Sequence, residues 1–161
     1  MYRITFAFEY TLSIVLYTPP TVTLSVGFEF TATATVGFVL DTKGIREAIE
    51  EDKPLKALNS FGLKDTFDGV DVPMIQLTGT VTLEAAVSAA IVKVAVFGGV
   101  NFIITIDLFD PYPELSGGII RPFELFQLGH TPDKWFEFGL TINVFFGVSI
   151  SGASTEYGLL T

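Results

Sequence analysis

Residues 21–40 read TVTLSVGFEFTATATVGFVL. One parity carries Val22, Leu24, Val26, Phe28, Phe30, Ala32, Ala34, Val36 and Phe38, and the other carries Thr21, Thr23, Ser25, Gly27, Glu29, Thr31, Thr33, Thr35 and Gly37. Successive side chains on a strand point to opposite faces. The stretch is therefore a strand with one apolar face backed by hydroxyls and glycines. A helix would scatter the same residues around its whole surface. At roughly 3.3 Å per residue an unbroken run would extend about 60 Å, and Gly27 and Gly37 are the places for a bend.

The pattern repeats outward. Residues 2–17 set Tyr2, Ile4, Phe6, Phe8, Tyr10, Leu12, Ile14 and Leu16 against Arg3, Thr5, Ala7, Glu9, Thr11 and Ser13. Thr18-Pro19-Pro20 ends that strand, because proline gives no ladder donor and restricts the residue before it. The short link to residue 21 predicts an antiparallel pair. From Ile45 to Leu58 the apolar residues fall at helical spacing, with Pro54 in the middle, which predicts a helical insertion near 44–58. Strand alternation returns at 75–97, followed by a turn at Gly98-Gly99 and a partner strand at 100–109. A last strand occupies 135–151. The fold class is mainly β, an antiparallel, sandwich-like arrangement of long strands in a single domain spanning 1–161. Residues 152–161 read as a small, polar, flexible tail. Phe28, Phe30, Phe138 and Ile142 are the expected core.

Composition narrows the partners. With 9 basic against 18 acidic residues and a net charge of −9, a nucleic-acid backbone is disfavoured. Lys43, Arg46, Lys53, Lys56 and Lys64 cluster around the helical insertion, but Glu47, Glu50, Glu51 and Asp52 interleave with them, as on a solvated helix face. There is no cysteine, so disulfides and thiolate metal sites are excluded. Apolar residues make up 49 % and charged ones 17 %, yet no apolar run is long enough for a spanning helix. That combination calls for sheets buried on both faces, a large interface, or a barrel in lipid.

Material for catalysis is thin. His130 is the only histidine and sits in a Gly-His-Thr-Pro turn, which reads as structural or exposed. No G-x-S-x-G elbow or phosphate-cradling glycine motif occurs. The expectation is a protein that is not an enzyme. Two acidic loops suit a hard cation: Asp65-x-x-Asp68-x-x-Asp71, and Asp107-x-x-Asp110-x-x-x-Glu114 leading to Glu124. Calcium takes six to eight oxygen ligands from such loops. The metal candidates are therefore Asp110, Glu114 and Glu124, or Asp65, Asp68 and Asp71, with calcium as the only cofactor entertained.

The order GFVLDTKGIREAI, DTFDGVDVP, IQLTGTV, GGVNFIITIDLFDP and GGIIRPFEL resembles a β-rich domain repeated in very large secreted or surface proteins of cyanobacteria and planctomycete-like bacteria. The resemblance covers about residues 26–125. In those repeats a glycine-rich amphipathic sheet leads to a D-P-[DN]-x-D-G-[KR]-[IV]-R-x-x-E loop. Asp110-Pro111 and Arg121-x-x-Glu124 fit its two ends, while Tyr112-Pro113-Glu114-Leu115-Ser116-Gly117 replaces its central acidic ligands. The resemblance implies an extracellular or cell-surface structural role and no reaction.

Three functions compete. The first is a structural module that self-assembles into an oligomer or filament with copies of itself or with adjacent repeats, through Tyr2, Ile4, Phe6, Phe8 and Tyr10 on the strand within residues 1–18. The second is an oligomeric membrane β-barrel or pore, since one parity is apolar and aromatic and the other rich in Thr, Ser and Gly. The third is a small-ligand or lipid-binding β-cup with Phe28, Phe30, Phe136 and Phe138 around its cavity.

Overall fold

A computed structural model describes residues 2–110, 117–127, 134–150 and 153–160, with the backbone alone for 127 and 153–160. Ten strands form: β1 (Tyr2–Tyr17), β2 (Thr21–Leu40), β3 (Phe61–Lys64), β4 (Thr66–Phe67), β5 (Val70–Asp71), β6 (Ile75–Ala89), β7 (Val92–Leu108), β8 (Ile119–Ile120), β9 (Phe136–Ile150) and β10 (Ala153–Leu160). Helix α1 (Lys43–Glu50), a 3₁₀ helix (Pro54–Ser60) and helix α2 (Pro122–Gln127) complete the described elements. The fold is mainly β and antiparallel with a short helical insertion, as the alternation predicts.

The long strands all join one eight-stranded sheet in the order β10-β9-β7-β6-β2-β3-β8, with β1 also on β2. They do not divide into the two facing sheets of a sandwich. Leaving out the short β3 and β8, β1, β2, β6, β7, β9 and β10 are neighbours in chain order, an up-and-down meander. Thr5 meets Thr33 and Ser13 meets Ser25 across β1 and β2, one register closed by the turn at Thr18–Pro20. β3 continues along β2 with Gly37 opposite Lys64 and Leu40 opposite Phe61.

Two boundaries differ from the sequence expectation. The turn between β6 and β7 is at Ala90-Ile91, with Ala90 in the left-handed region at φ 50°. Gly98 and Gly99 lie inside β7 instead. A Cβ on Gly99 would strike the Val81 carbonyl oxygen and come within 2.8 Å of the Phe145 ring, so the position serves close strand approach. On the other face the Phe102 ring lies over Gly79 and leaves no space for a Cβ there. The supposed flexible tail contains β10, which pairs antiparallel with β9 from Ala153 opposite Ile150 to Leu160 opposite Val144.

The chain divides into two compact units. Unit 1 holds 1–5, 33–76 and 105–139, and unit 2 holds 6–32, 77–104 and 140–161. In unit 1 the insertion wraps a polar centre. Arg121 is 5 % exposed; its Nη2 donates to Asp41 Oδ2 at 2.6 Å and its Nη1 to the Asn59 carbonyl. The guanidinium beside Asp41 holds that carboxyl below its usual range. Asn59, also buried, donates to Glu47 Oε2 at 3.1 Å and accepts from the Phe123 amide at 3.3 Å. Lys43–Glu47, Lys53–Glu51 and Lys56–Glu51 pair along the surface of the insertion. Replacing Arg121 by alanine strands the Asn59 carbonyl, and an unsatisfied buried acceptor costs about 1–3 kcal/mol. The expected result is a urea midpoint lowered to match, and an unchanged midpoint would show that water replaces the guanidinium freely.

The expected core is not where parity suggested. Phe28, Phe138 and Ile142 are 44 %, 71 % and 49 % exposed, and Phe30 is half-buried. The buried strand residues include Thr33, Thr35, Ala86 and Ala95 on the small-residue parity, together with Leu108 at the end of β7 and Ile120 on β8. Alternation shows which residues share a face, but a face becomes core only when another layer covers it. Among the described residues no second long-stranded sheet covers the aromatic face.

Candidate functional site

Unit 1 gathers carboxylates from both acidic loops. Asp65 follows β3, Asp71 ends β5 and Asp107 stands near the end of β7 on its polar parity. Their ligand oxygens all lie within 4.8 Å of one another. Oxygens 2.3–2.6 Å from a common calcium ion span that distance.

The local chain explains the convergence. Phe67-Asp68-Gly69-Val70 closes the β4–β5 hairpin with positive φ at both central residues, 53° and 79°. This is the Asp-Gly turn of type I′ that matches strand twist. It sets Thr66 opposite Asp71, and the Val72 amide returns to the Asp65 carbonyl at 3.2 Å. Asp65 itself is anchored by its amide to the Gly118 carbonyl at 3.0 Å. Asp107 is held from the other side, its Oδ1 accepting from the amides of Leu108 at 2.8 Å and Met74 at 3.3 Å.

Electrostatics marks the cluster as short of positive charge. Burial pushes the Asp65 carboxyl up to about 7, helped by the like charges of Asp107, Asp71 and Asp110. Burial also raises Asp107, against the pull of its two backbone donors. Without an ion, a proton shared between Asp65 and Asp107 would relieve the repulsion. A cation would relieve it better, because it neutralises all three groups at once. Asp65 and Asp107 line a small cavity of about 10 Å³ together with Thr35, Lys64, Met74 and Leu108. That is room for one ion or water.

The two loops, read as alternatives in the sequence, thus contribute to one site. Asp65 and Asp71 stand in it and Asp110 adds to its field. Asp68 does not: it is the exposed first residue of the hairpin turn. Glu124 does not: its Oε2 accepts from the Arg121 amide at 2.8 Å and caps α2. Glu114 and His130 lie outside the described residues. Asp107 completes the site; the spacing Asp107-x-x-Asp110 already points to it, as the acid at a polar position of VNFIITIDLF.

The assembly candidates Tyr2, Ile4, Phe6, Phe8 and Tyr10 are all exposed on β1. The four phenylalanines expected around a ligand cavity are split, Phe28 and Phe30 in unit 2 and Phe136 and Phe138 in unit 1. No protein-family model matches the chain, and no curated protein or solved structure is significantly similar to it.

Proposed function

We propose that this chain is a structural module, architectural and not catalytic, that self-assembles by adding copies edge to edge. The observation that carries the proposal is that two of the long strands are open on one side. β10 is paired with β9 and β1 with β2, and neither has a second partner among the described residues. An open edge is a row of unpaired amides and carbonyls that templates another strand. Six alternating long strands leave β1 and β10 running in opposite directions, so β10 of one copy can continue the antiparallel ladder on β1 of the next. Such a heterologous contact closes into a ring or runs on as a filament. The exposed aromatics of β1 would then flank the seam with the neighbouring copy or an adjacent repeat of a longer chain. A calcium ion at Asp65, Asp71 and Asp107 would tie three segments of unit 1 together. An extracellular or cell-surface setting, where calcium is plentiful, is part of the same proposal.

Deleting residues 1–18 is expected to give smaller particles by light scattering while the circular dichroism stays that of a β protein. A full-length chain that remains monomeric at high concentration, in buffer and in detergent alike, would remove the proposal.

A further inference from the structure

Edge pairing satisfies the backbone of the outer strands but leaves the aromatic face bare. In unit 2 the strand segments are 6–17, 21–32, 77–89, 92–104, 140–150 and 153–160. Five of the six are 11–13 residues long, and a tilted strand crosses a bilayer in about 9–11. On β1, β2, β6, β7 and β9 the apolar parity of this unit offers about thirty positions without one charged side chain. Leu24, Phe28, Leu83, Val96, Leu140 and Ile142 are among those exposed. The charges of those segments, Glu9, Glu29, Glu84 and Lys93, all stand on the opposite parity.

The connections within unit 2 follow the same rule. Thr18–Pro20 and Ala90-Ile91 are short turns, whereas the long connections 41–74 and 109–135 belong to unit 1. Residues 10–28 and 85–92 contain no charge, and Ile91 at a turn is 95 % exposed. Membrane barrels have short turns at one end, long loops at the other, and an uncharged outward parity.

We infer that the apolar face of unit 2 is covered by the acyl chains of a lipid bilayer. A second copy laid face to face is the other way to cover it, and the bare turns decide against that, since an equally apolar partner would match the strands but leave the face without a polar rim. A standard interface uses about 20–30 residues a side and is bordered by a polar rim. This face is as large, and its charge-free character continues through both short turns. A surface with no charge over that extent complements a medium with none. The inference rests on the strand-addition reading in one respect: hydrocarbon does not tolerate an open sheet edge, so the outer strands must be paired between copies once inside.

The absence of cysteine allows a direct test on the full chain. Single cysteines are placed at Phe28→Cys, Leu83→Cys and Val96→Cys on the apolar parity, and at Thr23→Cys and Thr80→Cys on the polar one. Each is labelled with an environment-sensitive fluorophore and mixed with vesicles of phosphatidylcholine alone. The expected result is alternation: apolar-parity labels shift to the blue and are quenched by nitroxides on the lipid chains, and polar-parity labels are not. Val96→Lys should weaken vesicle binding at least about tenfold, while Thr80→Lys leaves it within about twofold. Circular dichroism of both variants separates lost binding from lost folding. Labels already blue in buffer and unresponsive to lipid nitroxide would mean a protein-covered face and would overturn the inference while leaving edge assembly intact. Lipid quenching in a protein that is monomeric in buffer and in detergent alike would instead sink assembly between copies, and would keep the bilayer only with β1 and β10 of one chain paired to each other.

Discussion

Alanine at position 44 lowers stability by about 3 kcal/mol, read as a reduced midpoint in urea. Gly44 lies in the first turn of α1 and is buried. A Cβ there would overlap the Ser60 amide and stand 2.6 Å from both the Asn59 carbonyl carbon and the Lys56 carbonyl oxygen. All three are backbone groups of the 3₁₀ helix, so no side-chain rotation can make room. Helix propensity pulls the other way, since alanine is better than glycine by about 1 kcal/mol in a helix interior. The clash wins because it also breaks what the close approach permits: the Ser60 hydroxyl accepts from the Ile45 amide at 3.1 Å and caps α1. A midpoint that rises with Gly44→Ala would mean that α1 does not pack on the 3₁₀ helix in this way.

Calcium and pH act on stability in opposite senses through Asp65. Its carboxyl goes from 3.8 in the unfolded chain to about 7 in the folded one. A group raised on folding favours the folded state fully below its unfolded pKa and loses that contribution as pH rises through the folded one. In chelator, this group therefore makes the protein more stable at pH 5 than at pH 8, with the loss falling between about 4 and 7. Asp107 shifts in the same direction and reinforces it. An ion needs the ionised carboxylates, so added calcium raises the melting temperature more at pH 8 than at pH 5. At a hundredfold its dissociation constant, the gain is about 2.7 kcal/mol. Asp65→Asn then has a double signature: it stabilises the ion-free protein at pH 8 and abolishes the response to calcium. Melting curves at the two pH values, with and without calcium, test both parts. A destabilised Asp65→Asn in chelator, or a wild type indifferent to calcium, would rule out the cluster as an ion site.

The sequence was most legible where one physical requirement governs a residue. β1 and β2 begin and end where alternation and Thr18-Pro19-Pro20 put them, because a strand with two unlike faces has no other reading. Legibility failed where one residue type serves two purposes. Gly98-Gly99 reads as a turn, yet both glycines serve close strand approach, and the turn uses Ala90, which carries no turn signal at all. Asp68 read as a ligand because it is spaced like one, but Asp-Gly between Phe67 and Val70 is a stronger local instruction. The metal candidates were found in part because loop chemistry is local. Their merger into one cluster was not visible, since it depends on β7 ending beside the β4–β5 hairpin, a tertiary fact. Most of the expected core was misplaced for the same reason: parity sorts residues between faces and says nothing about what lies beyond either one.

A sheet that repeats every second residue has a hidden ambiguity. Slide one strand past its neighbour by two positions, and threonine still meets threonine and valine still meets valine. Burial energy cannot tell the two alignments apart. The two close approaches in unit 2 can. Phe102 lies over Gly79, and a slide by two would set its ring on Leu77 or Val81, where a branched side chain already stands. Phe145 reaches over Gly99, and the same slide would drive it against Phe97 or Asn101. Each glycine is a notch and each phenylalanine a peg, one pair keying β6 to β7 and the other β7 to β9. These two keys, rather than the hydrophobic pattern that defines the fold, make a single alignment of the three strands lower in energy than its near-copies.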